Sequence, residues 1–159
     1  MIRMQLARAL VALGLAFGIS GSGLAATENA HEGHGAAAVE MTLNNGQKWP
    51  TDEALRRGMS GIRSALASAL PRIHEGRFTP QEFSTLADRV QAHVDDVVAN
   101  CKLPEDADLQ LHVALEHILE GTGAMKAKAD QDKGAVAVLQ ALNAYGEHFD
   151  HPGWTPLGH

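Results

Sequence analysis

Four stretches of the chain repeat apolar residues every three or four positions, and strong helix punctuation separates them. That spacing lays one apolar stripe along a 3.6-residue helix. The first stretch is expected over Thr51–His74. Thr51 suits the N-cap, Asp52 and Glu53 suit the positive end of the helix dipole, and Gly76 suits the stop. Leu55, Met59, Ile62, Leu66, Leu70 and Ile73 form its stripe. The second stretch has the clearest start, Thr79-Pro80-Gln81-Glu82. It combines a capping Thr, Pro at the first helical position and Glu at the third. Phe83, Leu86, Val90, Val94, Val97 and Cys101 continue its stripe until Lys102-Leu103-Pro104. The third helix is expected from Pro104-Glu105-Asp106 to Gly121, with Leu111, Ala114, Leu115, Ile118 and Leu119 inward. Residues 122–131 read as a polar connection. The fourth runs from Asp132 to Phe149, with Val136, Leu139, Leu142, Tyr145 and Phe149 inward, and Pro152-Gly153 stops it. Aromatics are only 4% of the chain, and runs of β-branched residues are scarce, which disfavours a sheet. Four amphipathic helices with short links imply an all-α, antiparallel up-down-up-down four-helix bundle over residues 49–154, followed by a tail at 155–159.

What precedes the bundle reads as an address and an arm. Arg3 and Arg8 open residues 1–25, an apolar run follows from Ala9 to Ile19, and Gly23-Leu24-Ala25 fits a small-x-small cleavage site. The apolar run is shorter than the roughly 20 residues a membrane span needs. A cleavable signal peptide, export to the periplasm and no stable membrane insertion are therefore expected. Residues 26–48 carry Gly, Ala, Asn and Glu without an apolar period, so this segment is expected to be a loose arm. The chain has 159 residues with 13 Lys+Arg against 19 Asp+Glu, and a formal charge of −6. An acidic balance argues against nucleic acid, whose binders carry a basic stripe.

Nine His beside a single Cys is the compositional oddity. Up-down-up-down topology brings the start of helix 1, the end of helix 2, the start of helix 3 and the end of helix 4 to one pole. That pole collects Trp49, Met59, Cys101, His112, His148, His151 and Trp154. With a rise of about 1.5 Å per residue, His93 lies about 12 Å before Cys101, and His112 a similar distance beyond Pro104. His74 and His117 belong towards the other end. Thiolate and imidazole suit copper or zinc. Cys101, His112 and His151 are the main candidate ligands, with His148 and His93 as neighbours. In the arm, His31-Glu32-Gly33-His34 has a spacing able to chelate a divalent ion without a fold, and His159 could add a loose terminal ligand. Each residue also has a plainer role. Cys101 can be a small buried hydrophobe, His112 and His93 can cover the core edge, and His148 and His151 can favour a helix C-terminus. No GxSxG, phosphate loop or Cys-His-Asn pattern is present, so no enzymatic activity is expected. Cys101 and His112 could in principle form a reactive thiolate pair, but nothing supplies an oxyanion hole. A periplasmic metal-trafficking partner or a Cys101-linked homodimer is expected, and the alternative without a ligand is a structural or interaction module.

Two resemblances sharpen this picture. Asn100-Cys101-Lys102-Leu103, Leu111-His112 and Phe149-Asp150-His151-Pro152-Gly153-Trp154 resemble segments of a family of small exported proteobacterial helical proteins. Many of those carry His-rich N-terminal arms. The resemblance runs from Trp49 to Trp154 and implies an exported helical protein without naming an activity. Leu55-x-x-x-Met59 and Asn143-Ala144-Tyr145 are more distantly similar to periplasmic cytochromes of the b562 type. Those hold non-covalent haem between a Met on the first helix and a His on the fourth. The resemblance implies Met59 and His148 as haem ligands, but the family's His would directly follow Tyr145, where Gly146 stands. His148 comes two residues later, about 200° around the helix.

Overall fold

The punctuation places the helices almost where they stand. The structure, a computed structural model, describes residues 39–158. It contains α1 (Glu53–His74), α2 (Pro80–Asn100), α3 (Glu105–Lys126) and α4 (Gln131–His148). Residues 1–38 and 159 lie outside the described residues, and with them the signal peptide, His31, His34 and His159. Gly58 early in α1 meets Val97 late in α2, and Gly121 late in α3 meets Gly134 early in α4. Neighbouring helices therefore run antiparallel. α1 and α3 each pack against α2 and α4 and face each other across the diagonal.

The stripes form the core. Leu55, Met59, Ile62 and Leu66 meet Phe83, Leu86, Val90, Val94 and Val97, with Leu111, Ile118, Met125, Leu139, Leu142, Tyr145 and Phe149 completing the interior. Each fully buried Leu or Ile contributes about 1.5–3 kcal/mol. Exposed ion pairs such as Arg57–Asp96 add at most about 1 kcal/mol. Apolar burial therefore holds the bundle, and the charges decorate it.

Glycine accounts for the largest departure in helix length. Gly121 does not end α3, which continues through the expected connection to Lys126. A Cβ on Gly121 would lie 2.7 Å from the Gly134 carbonyl oxygen, and one on Gly134 would lie 2.6 Å from that of Gly121. These residues let two helix backbones approach closely. The same contact turns two expected core residues outward. Val136 is 43% exposed and Leu119 39% exposed. Each stands two residues, about 200°, from the glycine that faces the partner helix.

The caps follow the chemistry of single side chains. At α2 the Thr79 hydroxyl accepts from the Glu82 amide at 3.3 Å, and Glu82 accepts from the Thr79 amide at 2.9 Å. At α1 the cap is Asp52, not Thr51. Asp52 accepts from the Leu55 amide at 2.7 Å and, with its other oxygen, from the Lys102 amide at 2.6 Å. The two carboxylate oxygens thus hold the start of α1 and the link after α2 together. Thr51 instead donates to the Asp150 carbonyl at 2.7 Å.

Both flanks of the bundle pack on it. Residues 39–48 belong to the segment expected to be loose, yet Met41 is buried and Val39 packs on the core. Asn44 and Gln47 exchange backbone hydrogen bonds of 2.8 and 2.9 Å around Asn45 and Gly46, whose φ values are 50° and 84°. That is a two-residue turn requiring positive φ at both central positions, and Asn-Gly supplies it. Trp49 then pairs in parallel with Phe149: its amide donates to His148 and its carbonyl accepts from Asp150, both at 2.8 Å. At the other flank, Asn143 exchanges two 3.0 Å hydrogen bonds with the Leu157 backbone.

Candidate functional site

The fold collects chemistry at the expected pole, around the turn that leaves α4. His151 sits at its centre, half-buried. Its Nδ1 is 2.9 Å from the Tyr145 hydroxyl and its Nε2 is 3.2 Å from Ser60 Oγ on α1. Tyr145 is fully buried, stacks on Phe149 with ring centroids 4.9 Å apart, and meets Trp154 edge-on. Burial pushes the Tyr145 phenol well above its ordinary range, so it keeps its proton at neutral pH. Burial and the nearby Arg56 charge hold His151 below the usual imidazole range, which favours the neutral ring. The Ser60–His151–Tyr145 chain thus spans two helices and the exit turn.

Cys101 belongs to a different set of contacts. It caps α2, its amide donating to Val97 at 2.8 Å, and its thiol lies near the Asp52 carboxylate. Burial, with the negative charges of Asp52 and Asp108, pushes the thiol up to about 12. These surroundings disfavour the thiolate of a Cys101–His112 pair. Burial also pushes the Asp52 carboxyl up. The Leu55 and Lys102 amides, the Cys101 thiol and Arg56 outweigh it and leave Asp52 below its ordinary value.

The other candidate ligands are held apart by their own partners. His112 has a side chain 72% exposed, and its Nδ1 donates to the Asp108 carbonyl one turn back at 2.8 Å. His148 donates from Nδ1 to the Ala144 carbonyl at 2.8 Å. The His93 ring lies on Gly61 of α1, where a Cβ would come within 2.4 Å of it. It fills the seam between α1 and α2. His117 pairs with Glu120 at 3.4 Å. Among the described residues, no group of three or more His, Cys, Asp or Glu side chains could hold a metal ion. Cys101, His112 and His151 share a pole but not a coordination sphere. Helix topology places Cα atoms at that pole, while each side chain's direction follows its local hydrogen bond.

The residues do not fit haem. Met59 is fully buried in the packed interior. The missing side chain of Gly146 makes room for the Trp154 indole, since a Cβ there would lie 2.2 Å from its Nε1. The position of the b562-type His is thus a seat for an aromatic ring. That seat has a cost, because the indole Nε1 is buried without a hydrogen-bond partner.

Ser60 and Asp52 were not foreseen as site residues. Nothing local marks Ser60, whose contact with His151 crosses 91 positions of sequence. Comparison with family models, curated proteins and solved structures finds no match to this chain.

Proposed function

We propose that this chain is an exported, periplasmic, non-enzymatic protein that binds copper or zinc for storage, delivery or sensing. The observation that carries the reading is the way His112 and His148 are held. A carbonyl oxygen only accepts, so a ring whose Nδ1 bonds to one carries its proton there. Each ring then keeps the Nε2 lone pair for an ion. Metal-ligating imidazoles are oriented by this same outer contact. Asp108 Oδ2, 3.5 Å from His112 Nδ1, adds a carboxylate behind the ring. The spacing of His31 and His34 offers a second, chain-local chelate. In this reading the metal is captured by surface imidazoles, and Cys101 stays a structural thiol.

Titration of the full mature chain with copper(II) and zinc(II) by calorimetry tests it. Replacing His112 and His148 by Ala, and separately His31 and His34 by Ala, is expected to weaken binding roughly ten-fold or more for each pair. Cys101→Ala is expected to bind as the parent does. Affinity is expected to fall below about pH 6, where imidazole takes up a proton. A chain that binds neither ion, or binds equally well without these imidazoles, overturns the proposal.

A further inference from the structure

A concave site of about 190 Å³ lies between α1 and the turn after α4, lined by Ser60, Arg63, Ser64, His151, Trp154 and Thr155 among others. We propose that it binds a small oxyanion, a phosphate, sulfate or carboxylate group, through the Arg63 guanidinium and the hydroxyls of Ser60 and Ser64. Three observations carry this.

The first is an uncommitted cation in a fixed pose. Arg63 Nε donates to the Thr155 carbonyl at 2.6 Å, and its guanidinium carbon stands 6.0 Å from the Trp154 ring centroid. Carbonyl and indole therefore pin the side chain while leaving its terminal N–H groups to donate. No described carboxylate pairs with Arg63. Guanidinium N–H groups match two oxygens of a phosphate or carboxylate at once.

The second is a relay that can present a donor. When the buried Tyr145 hydroxyl donates to His151 Nδ1, His151 Nε2–H donates to Ser60 Oγ. The Ser60 hydroxyl proton is then free to point at a ligand. An anion in the site favours this direction of the relay, because it offers an acceptor. Ser64 repeats a hydroxyl one turn along the same face of α1.

The third is contrast. The groove between α1 and α2 also carries arginines, Arg72 and Arg89. There Arg72 is already bonded to Glu82 through both oxygens of the carboxylate. That groove brings its own anion, whereas the Arg63 site has none among the described residues.

The test is an amide and indole NMR titration of the full mature chain with inorganic phosphate, sulfate and acetate, at constant ionic strength set with chloride. The expected result is a saturable shift confined to Ser60, Ser64, Gly153 and the Trp154 indole. The Ser60→Ala/Ser64→Ala variant, with its fold checked by circular dichroism, is expected to bind roughly ten-fold or more weakly. Arg63→Lys keeps the charge but removes the fork, and is expected to weaken phosphate similarly. Arg89→Gln is expected to change nothing. The ranking of phosphate against acetate then separates a tetrahedral ligand from a planar one. Absence of saturable shifts, an identical response to chloride alone, or unchanged affinity in the Ser60/Ser64 variant overturns the proposal.

Discussion

The two poles of the bundle are held in different ways. At one, contacts are mostly short in sequence: Thr79 with Glu82, and Arg72 with Glu82 and the Arg77 carbonyl. Two contacts there reach further: Gln131 donates to the Met125 and Pro80 carbonyls, and Lys126 pairs with Asp88 at 2.8 Å. At the other pole the contacts cross the chain. Thr51 reaches Asp150 over 99 positions, Ser60 reaches His151 over 91, Thr42 reaches Gln110 over 68, and Asp52 reaches Lys102 over 50. A pole closed by local caps can form as soon as its helices form. A clasped pole needs both flanks of the bundle docked, so it concentrates the side chains that only the finished fold brings together.

Removing the aromatic centre of the clasp is the hardest blow to that contrast. Phe149→Ala deletes a fully buried ring stacked on Tyr145. It is expected to cost about 3–5 kcal/mol in urea denaturation. Hydrogen exchange is expected to show the Trp49 and Asp150 amides opening first, while the amides of the Thr79 turn keep their protection relative to global unfolding. Uniform loss at both poles would mean that they do not act separately.

Gly146→Ala attacks the same clasp from the α4 side. Its new methyl would meet the Trp154 indole, so overpacking is expected to cost about 1–3 kcal/mol and to shift Trp154 fluorescence. An unchanged spectrum would show that the indole does not depend on its seat. The two caps offer a matched pair. Thr79→Ala is expected to cost about 1 kcal/mol. Asp52→Ala is expected to cost more, up to about 2 kcal/mol, because the cap and the Lys102 tie go together. Equal costs would remove the distinction between a local cap and a bridging one.

Acidification separates the poles with the smallest effect. His151 is held below its ordinary value of 6.5, so the unfolded chain takes up that proton before the folded one. The neutral ring's contribution is present above pH 6.5 and is lost as pH falls below it. Glu82 is drawn from 4.5 down to about 2, first by its hydrogen bond from Arg72 and then by Thr79. Its contribution is present above pH 4.5 and is lost between there and about pH 2. Protection factors, taken relative to the intrinsic exchange rate at each pH, are expected to fall at the clasp before they fall at the Thr79 turn as pH drops from 7. The reverse order would place the acid-sensitive group elsewhere.

Helix number, the capping box at Thr79 and the stripes of α1 and α2 were legible because each depends on residues within a turn or two of one another. The errors share a cause. Gly121 carries the composition of a helix stop, but its close neighbour Gly134 belongs to another helix. The end of the arm is the exception: Asn45-Gly46 is a local turn mark that the reading of residues 26–48 as loose passed over. Thr51 is a sound cap in isolation, but its hydroxyl goes to the distant Asp150 carbonyl, and Asp52 caps α1 while also holding Lys102. For the site, topology correctly brought Trp49, Cys101, His148, His151 and Trp154 to one pole. It did not give ring directions, which the carbonyls of Asp108 and Ala144 and the hydroxyls of Tyr145 and Ser60 set.

By itself the sequence determined that this chain is a four-helix bundle, because helix periodicity and capping are short-range properties of neighbouring residues. It also determined the unusual supply of imidazole. Tertiary structure decided which of those side chains meet. His151 joins Ser60 and Tyr145 instead of Cys101, and Arg63 faces an open site, because hydrogen bonds and ring packing between distant elements select one side-chain direction from several that the helix alone permits.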